Sequence, residues 1–326
     1  MFKKIIKLGF FIQLIIFIAV TLLLWLPSLL TPAMPLRVLS EGPLYAMLAD
    51  VMSDFPHIAT SLALFFTLSL SILVYIIGSS NDIHTRENFF SAIFMMIFLS
   101  WNESVLVLNP VLPAALLSLF SVMTIMRMYG WQDPLRQVFS ASLSLGLASL
   151  FFFPAVYFLL FLWFSFITYR ITGWREWMIS FIGFLLPFIY LFSWYFWNDN
   201  FVQGILTLVK SVDKPGFNLI GLVTADFVWL ISLVLLIFVI AAAMINQVQD
   251  KLISIRKKSF ILINVLLSGI PAILLSDTPV LFSHQLLYLP LSLMLAMVLS
   301  NSKKALYLDV LTMVFLTVLL VFRYFL

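Results

Sequence analysis

The chain has 326 residues, of which 63% are hydrophobic and only 10% charged, against roughly 25% charged in a soluble domain. That balance excludes an ordinary water-soluble enzyme; the apolar content runs the whole length, no soluble unit of about 50 residues can be separated, and residues 1–326 read as one transmembrane domain. The net charge of +4 sits in short loops, where insertion keeps Lys and Arg cytoplasmic, so it lends no support to nucleic-acid binding, and the absence of cysteine removes disulfides, thiolate metal sites and Cys nucleophiles.

A helix crosses the hydrocarbon in about 20 residues, and that ruler cuts the chain into eleven expected spans with the N-terminus cytoplasmic and the C-terminus periplasmic. Residues 5–26 form the first, read as a retained span rather than a cleaved signal. A periplasmic loop, 27–56, carries Arg37, Glu41, Asp50 and Asp54. Spans two to four follow at 57–78, 89–101 and 111–128, the third short and ending beside Glu103. The run 138–169 is too long for one crossing, since 32 residues at 1.5 Å each reach about 48 Å, and Pro154 is the expected break. Within it, Ser142 and Gly146 give a small-residue face for close helix packing. Span seven covers 177–197 and leads to a second long periplasmic loop, 198–224, with Lys210 and Lys214. Spans eight to eleven fall at 226–246, 260–276, 284–299 and 305–322.

This threading sorts the basic residues. Fourteen of the eighteen, grouped at 3–7, 86, 127–136, 170–175, 251–258 and 303–304, fall on the cytoplasmic side. Arg37, Lys210, Lys214 and Arg323 fall outside. Such a bias is what orients a polytopic protein, and the expected location is the cell inner membrane.

The chemistry-bearing residues on the outer side are few. Leu44, Met47, Leu48, Val51 and Phe55 recur at helical spacing, which predicts a short amphipathic helix lying on the membrane between 41 and 55. On it Asp50 and Asp54, four apart, share a face, either as a solvated polar surface or as a general base or metal-binding pair. Glu41 precedes Gly42 and Pro43, where it serves either the helix dipole or catalysis. Lys210, Lys214 and Arg37 are candidates for holding a phosphate. Glu103 and Asp277 lie outside beside short spans, and His57 and His284 share that side without a metal-ligand spacing. The cofactor stays undefined, a divalent cation being compatible with the acidic pair. Ionisable residues are nearly absent within the spans, which disfavours ion-coupled transport.

From Asn109 the chain reads NPVLPAALLSLFSVMTIMRMYGWQDPLRQVF, then GLASLFFFP at 146–154 and WREW at 174–177. This stretch resembles a family of polytopic bacterial inner-membrane proteins of uncharacterised function. More loosely, the layout is similar to the membrane-embedded glycosyltransferases of the GT-C class: a first span, an outer loop with a surface helix and a catalytic carboxylate, then paired short helices with a small-residue stretch before a proline. The resemblance implies transfer from a polyprenyl-phosphate-linked sugar at the periplasmic face. Asp50, Glu41 or Asp54 would then be the base, and Lys210, Lys214 or Arg37 the phosphate grip. Unlike that class, the first loop has no adjacent acidic pair, and a non-catalytic scaffold or partner subunit of an envelope complex is the alternative expectation.

Overall fold

The computed structural model describes residues 9–38, 40–85, 88–101, 106–131, 133–212, 224–274 and 285–301. Four helices in this part are long and apolar enough to cross a membrane. They are α1 (Phe10–Leu30), α3 (Pro56–Ser80), α8 (Trp174–Trp197) and the stretch Ile231–Val248 of α10 (Thr224–Val248). Each turns large apolar side chains outward, among them Ile15 and Leu22 on α1, Phe65 on α3, Ile189 on α8 and Phe238 on α10. A water-soluble protein does not expose contiguous apolar surface of this kind; facing lipid, it costs nothing.

Between α1 and α3 lies the short α2 (Pro43–Met52). The expected third span is helical only over α4 (Phe90–Leu99), whose ten residues reach about 15 Å at 1.5 Å each. It cannot cross about 30 Å of hydrocarbon alone. Instead α4 is sunk in protein, with every side chain except Ile97 buried. It is packed by α1, α3 and α12 (Gln285–Asn301), itself buried from Gln285 to Leu299. A helix apolar all round belongs inside, and irregular backbone at membrane depth is tolerated only where protein surrounds it. After α4, Trp25 Nε1 donates to Ser100 Oγ at 3.0 Å, and Asn109 Oδ1 accepts the amides of Val111 and Leu112 at 3.1 and 3.2 Å. The Asn109 carboxamide thereby satisfies the first free N–H groups of α5 (Val111–Arg127).

The run containing Pro154 breaks as expected. Helix α6 (Leu135–Phe151) ends, Phe152 is extended, a 3-10 turn covers Phe153–Tyr157, and α7 (Phe158–Tyr169) continues. Proline sits in the first turn of the 3-10 segment, where its missing N–H is no loss. The chain reverses here. Gly146 of α6 meets Phe184 and Pro187 of α8, and Gly183 meets Phe139 and Ser142, so α6 and α8 run parallel. Trp163 and Phe166 of α7 meet Trp177 and Ser180, so α7 runs against α8. The small-residue face at Ser142 and Gly146 is therefore the α6–α8 seam. The Ser142 hydroxyl is satisfied by Phe139 O of its own helix at 3.0 Å, leaving close packing to hold the seam.

The connections gather at two ends. At the first, Leu36, Ser40, Gly42 and Tyr45 meet Leu108, Phe151 and Phe153. At the second, Gln13 Oε1 accepts the Phe89 amide at 2.7 Å, Lys257 lies over the Tyr129 ring, and Asn264 of α11 (Ile253–Leu274) donates to Thr168. The loop expected over 198–224 contains a helix, α9 (Phe201–Val212), strongly amphipathic by its sequence and lodged through Phe201 and Gly204 against Phe192, Tyr195 and Phe196. The expected eleventh span, 305–322, lies outside the described residues.

Candidate functional site

The first connection is built onto the helix break. A broken helix leaves backbone groups without intrahelical partners, and where they are buried these need protein partners. Phe151 O accepts the Gly42 amide at 2.8 Å, the Phe153 amide donates to Ser40 O at 3.2 Å, and Glu41 and Phe152 form one antiparallel bridge. The approach is so close that a Cβ at Gly42 would lie 2.0 Å from Leu150 O. On the other side the Leu36 amide donates to Leu108 O at 2.8 Å, and the buried Tyr45 hydroxyl lies 2.8 Å from both Leu36 O and Leu108 O. Burial, reinforced by the charge of Glu41, pushes the Tyr45 phenol above its ordinary pKa, so it remains a donor. This loop is bolted down at both flanks.

On that base Arg37 gathers two carboxylates. Its Nη1 lies 3.1 Å from Glu41 Oε1 and donates to Ala46 O at 3.2 Å, while Nη2 pairs with Asp50 Oδ1. Glu41 Oε2 accepts the Val38 amide at 3.3 Å. Partial burial works against the guanidinium's charge, but the hydrogen bonds and charges of Glu41 and Asp50 outweigh it and raise the Arg37 pKa. Asp50 is 73% exposed, so solvent screens the pair and its contribution to stability is below about 1 kcal/mol. What the cluster fixes is position.

Of the residues singled out by sequence, Arg37, Glu41 and Asp50 are brought together. Asp54 is not stacked on Asp50, because α2 stops at Met52 and Asp54 falls in the turn before Pro56. His57 is exposed on the first turn of α3. The backbone of α9 carries Lys210, whose side chain lies outside the described residues, as do Lys214, Glu103, Asp277 and His284. Among the described residues no three His, Asp or Glu side chains gather as a metal site would require.

The apolar stripe of α2 divides. Tyr45 and Ala49 are the residues buried against the bundle, while Met47, Val51 and Phe55 remain exposed. Leu44 and Met47 roof a groove of about 330 Å³. One wall is Leu143, Leu147 and Leu150 of α6, the other Leu186, Tyr190 and Trp194 of α8. Sequence reasoning missed this groove: leucines at 143, 147 and 150 have ordinary helix-packing spacing, and nothing in their pattern says that α2 lies across them.

Comparison with protein-family models, with curated proteins and with solved structures finds no match to this chain.

Proposed function

We propose that this is a multi-pass inner-membrane protein of about eleven spans, N-terminus in the cytoplasm and C-terminus in the periplasm, with a GT-C-like layout. In this reading it transfers a sugar from a polyprenyl-phosphate carrier at the periplasmic face. The observation that supports it is the fixed juxtaposition of Asp50 and Glu41 on Arg37 at one end of a membrane bundle. A carboxylate held there is suited to accept the proton of an acceptor hydroxyl. Asp50 is the base in this scheme, because Arg37 takes one of its oxygens and its exposure leaves the other accessible. Glu41, partly buried and engaged with the Val38 amide, sets the orientation of Arg37. Since Arg37 is committed to carboxylates, the leaving phosphate falls to Lys210 and Lys214.

The test is complementation of a glycan phenotype by full-length protein. Asp50→Asn is expected to abolish it at unchanged protein level, and full activity in each of Asp50→Asn, Glu41→Gln and Asp54→Asn rejects the reading. The second reading, a non-catalytic scaffold or partner subunit of an envelope complex, is favoured by the same ion cluster taken as a tie: Arg37 neutralises its carboxylates and staples the loop. It requires copurification with a fixed partner and indifference to Asp50→Asn.

A further inference from the structure

The groove under α2 goes beyond the transfer reading. We propose that it holds one acyl chain of a phospholipid whose headgroup carries an amine, in the leaflet at that end of the bundle, with the ammonium facing the acidic rim formed by Glu41, Asp50 and Asp54.

Dimension and surroundings argue for a chain. From Leu186 to Trp194 the groove follows α8 for about 12 Å at 1.5 Å per residue, close to the roughly 15 Å that is half of a 30 Å hydrocarbon core. Its direction along a membrane-crossing helix is that of a lipid tail. The volume of about 330 Å³ is at the small end of ligand sites and suits one chain. Tyr190 and Trp194, 69% and 60% exposed, border the opening with the residue types that gather at headgroup level. The roof is not a lid, because Gly42 and Tyr45 fix α2 to the break and to Leu108.

Charge argues for the headgroup. Asp50 follows the roof residue Met47 by less than one helical turn, Asp54 lies in the turn beyond, and Glu41 precedes the roof residue Leu44. The guanidinium of Arg37 is already engaged by two of these three carboxylates, so among the described residues the rim keeps an excess of negative charge. Of two phospholipids with the same chains, one with an anionic glycerol headgroup is disfavoured there and one with an ammonium is drawn in.

Full-length protein in dodecylmaltoside micelles is photolabelled with phosphatidylethanolamine bearing a diazirine midway along one acyl chain, with phosphatidylglycerol bearing the same chain, and with a diazirine-bearing polyprenyl phosphate. The ethanolamine probe is expected to label 143–150 and 186–194 about fivefold more than the glycerol probe, the factor that one surface charge near a headgroup supplies. Leu147→Trp, which fills the groove, should remove most of that labelling. The Asp50→Asn/Asp54→Asn pair leaves the walls intact and should equalise the two phospholipids without abolishing labelling, which decides the question even if Leu147→Trp fails to accumulate. Equal labelling by both phospholipids in the unaltered protein, stronger labelling by the polyprenyl phosphate, or labelling indifferent to both variants would overturn the proposal.

Discussion

Gly42→Ala is the sharpest perturbation available, because the new methyl meets backbone and not a yielding side chain. The added Cβ would lie 2.0 Å from Leu150 O, 2.4 Å from Leu150 C and 3.0 Å from Phe151 C. The connection must lift, and with it go the Gly42–Phe151 and Phe153–Ser40 hydrogen bonds of 2.8 and 3.2 Å. Each bond contributes about 0.5–1.5 kcal/mol, and stranding its buried partner costs about 1–3 kcal/mol. A local loss of about 2–4 kcal/mol follows, enough to undock the loop without unfolding the bundle. Hydrogen exchange on full-length protein in micelles should then show the amides of Gly42 and Phe153 exchanging at least about 30-fold faster, while α4 and α12 keep their protection. Gly9→Ala, with nothing within 4 Å of the added carbon, is the control. Unchanged protection at 42 and 153 in Gly42→Ala would refute the claim that the first connection is docked on the helix break.

Two further predictions concern the second end and the seam. His84, 5% exposed, accepts from the Ser91 hydroxyl at Nε2 (3.1 Å) and donates from Nδ1 to Thr85 O (3.0 Å). Burial holds its pKa below the ordinary value, so its contribution to stability is complete above about pH 6.5 and declines as pH falls through the lowered folded value. Thermal unfolding should show a lower midpoint at about pH 5 than at about pH 7.5, with a shallower dependence in His84→Gln; equal slopes in the two proteins would contradict the assignment. At the seam, Gly183→Val drives a side chain into Ser142 Oγ and Phe139 O, 2.1 and 2.9 Å from the first added carbon. It should cost about 1–3 kcal/mol by overpacking, visible as a lower midpoint of thermal unfolding in micelles, and an unchanged midpoint would show that α6 and α8 are not in such contact.

Much of the helical plan is legible in the residues. Hydropathy locates α1, α3 and α8 to within a few residues, and length together with Pro154 places the break after Phe151. The small-residue face at Ser142 and Gly146 also proved to be a seam, though its partner, Gly183 on α8, could not be named from composition. The amphipathic helix of the first loop is present, and what its spacing does not reveal is the side that docks on the bundle. Met47, Val51 and Phe55 of its apolar stripe are exposed, as a surface helix requires, while Tyr45 and Ala49, outside that stripe, face the bundle because the Tyr45 hydroxyl finds two carbonyls there. Helix α9 lies within the stretch expected as the second outer loop, where a helical course for Lys210 was one of two open alternatives.

Sequence by itself determined what the chain dissolves in and roughly where it turns, since hydropathy, loop charge and proline act locally and are written residue by residue. Only the tertiary structure decided that α4, too short to cross alone, lies inside the bundle, that Ser40 and Gly42 satisfy the backbone opened at Phe151–Phe153, and that α2 lies over an apolar groove between α6 and α8. The physical reason is range: a buried hydrogen bond or a close glycine contact joins segments about a hundred residues apart, and no periodicity within either segment encodes the other.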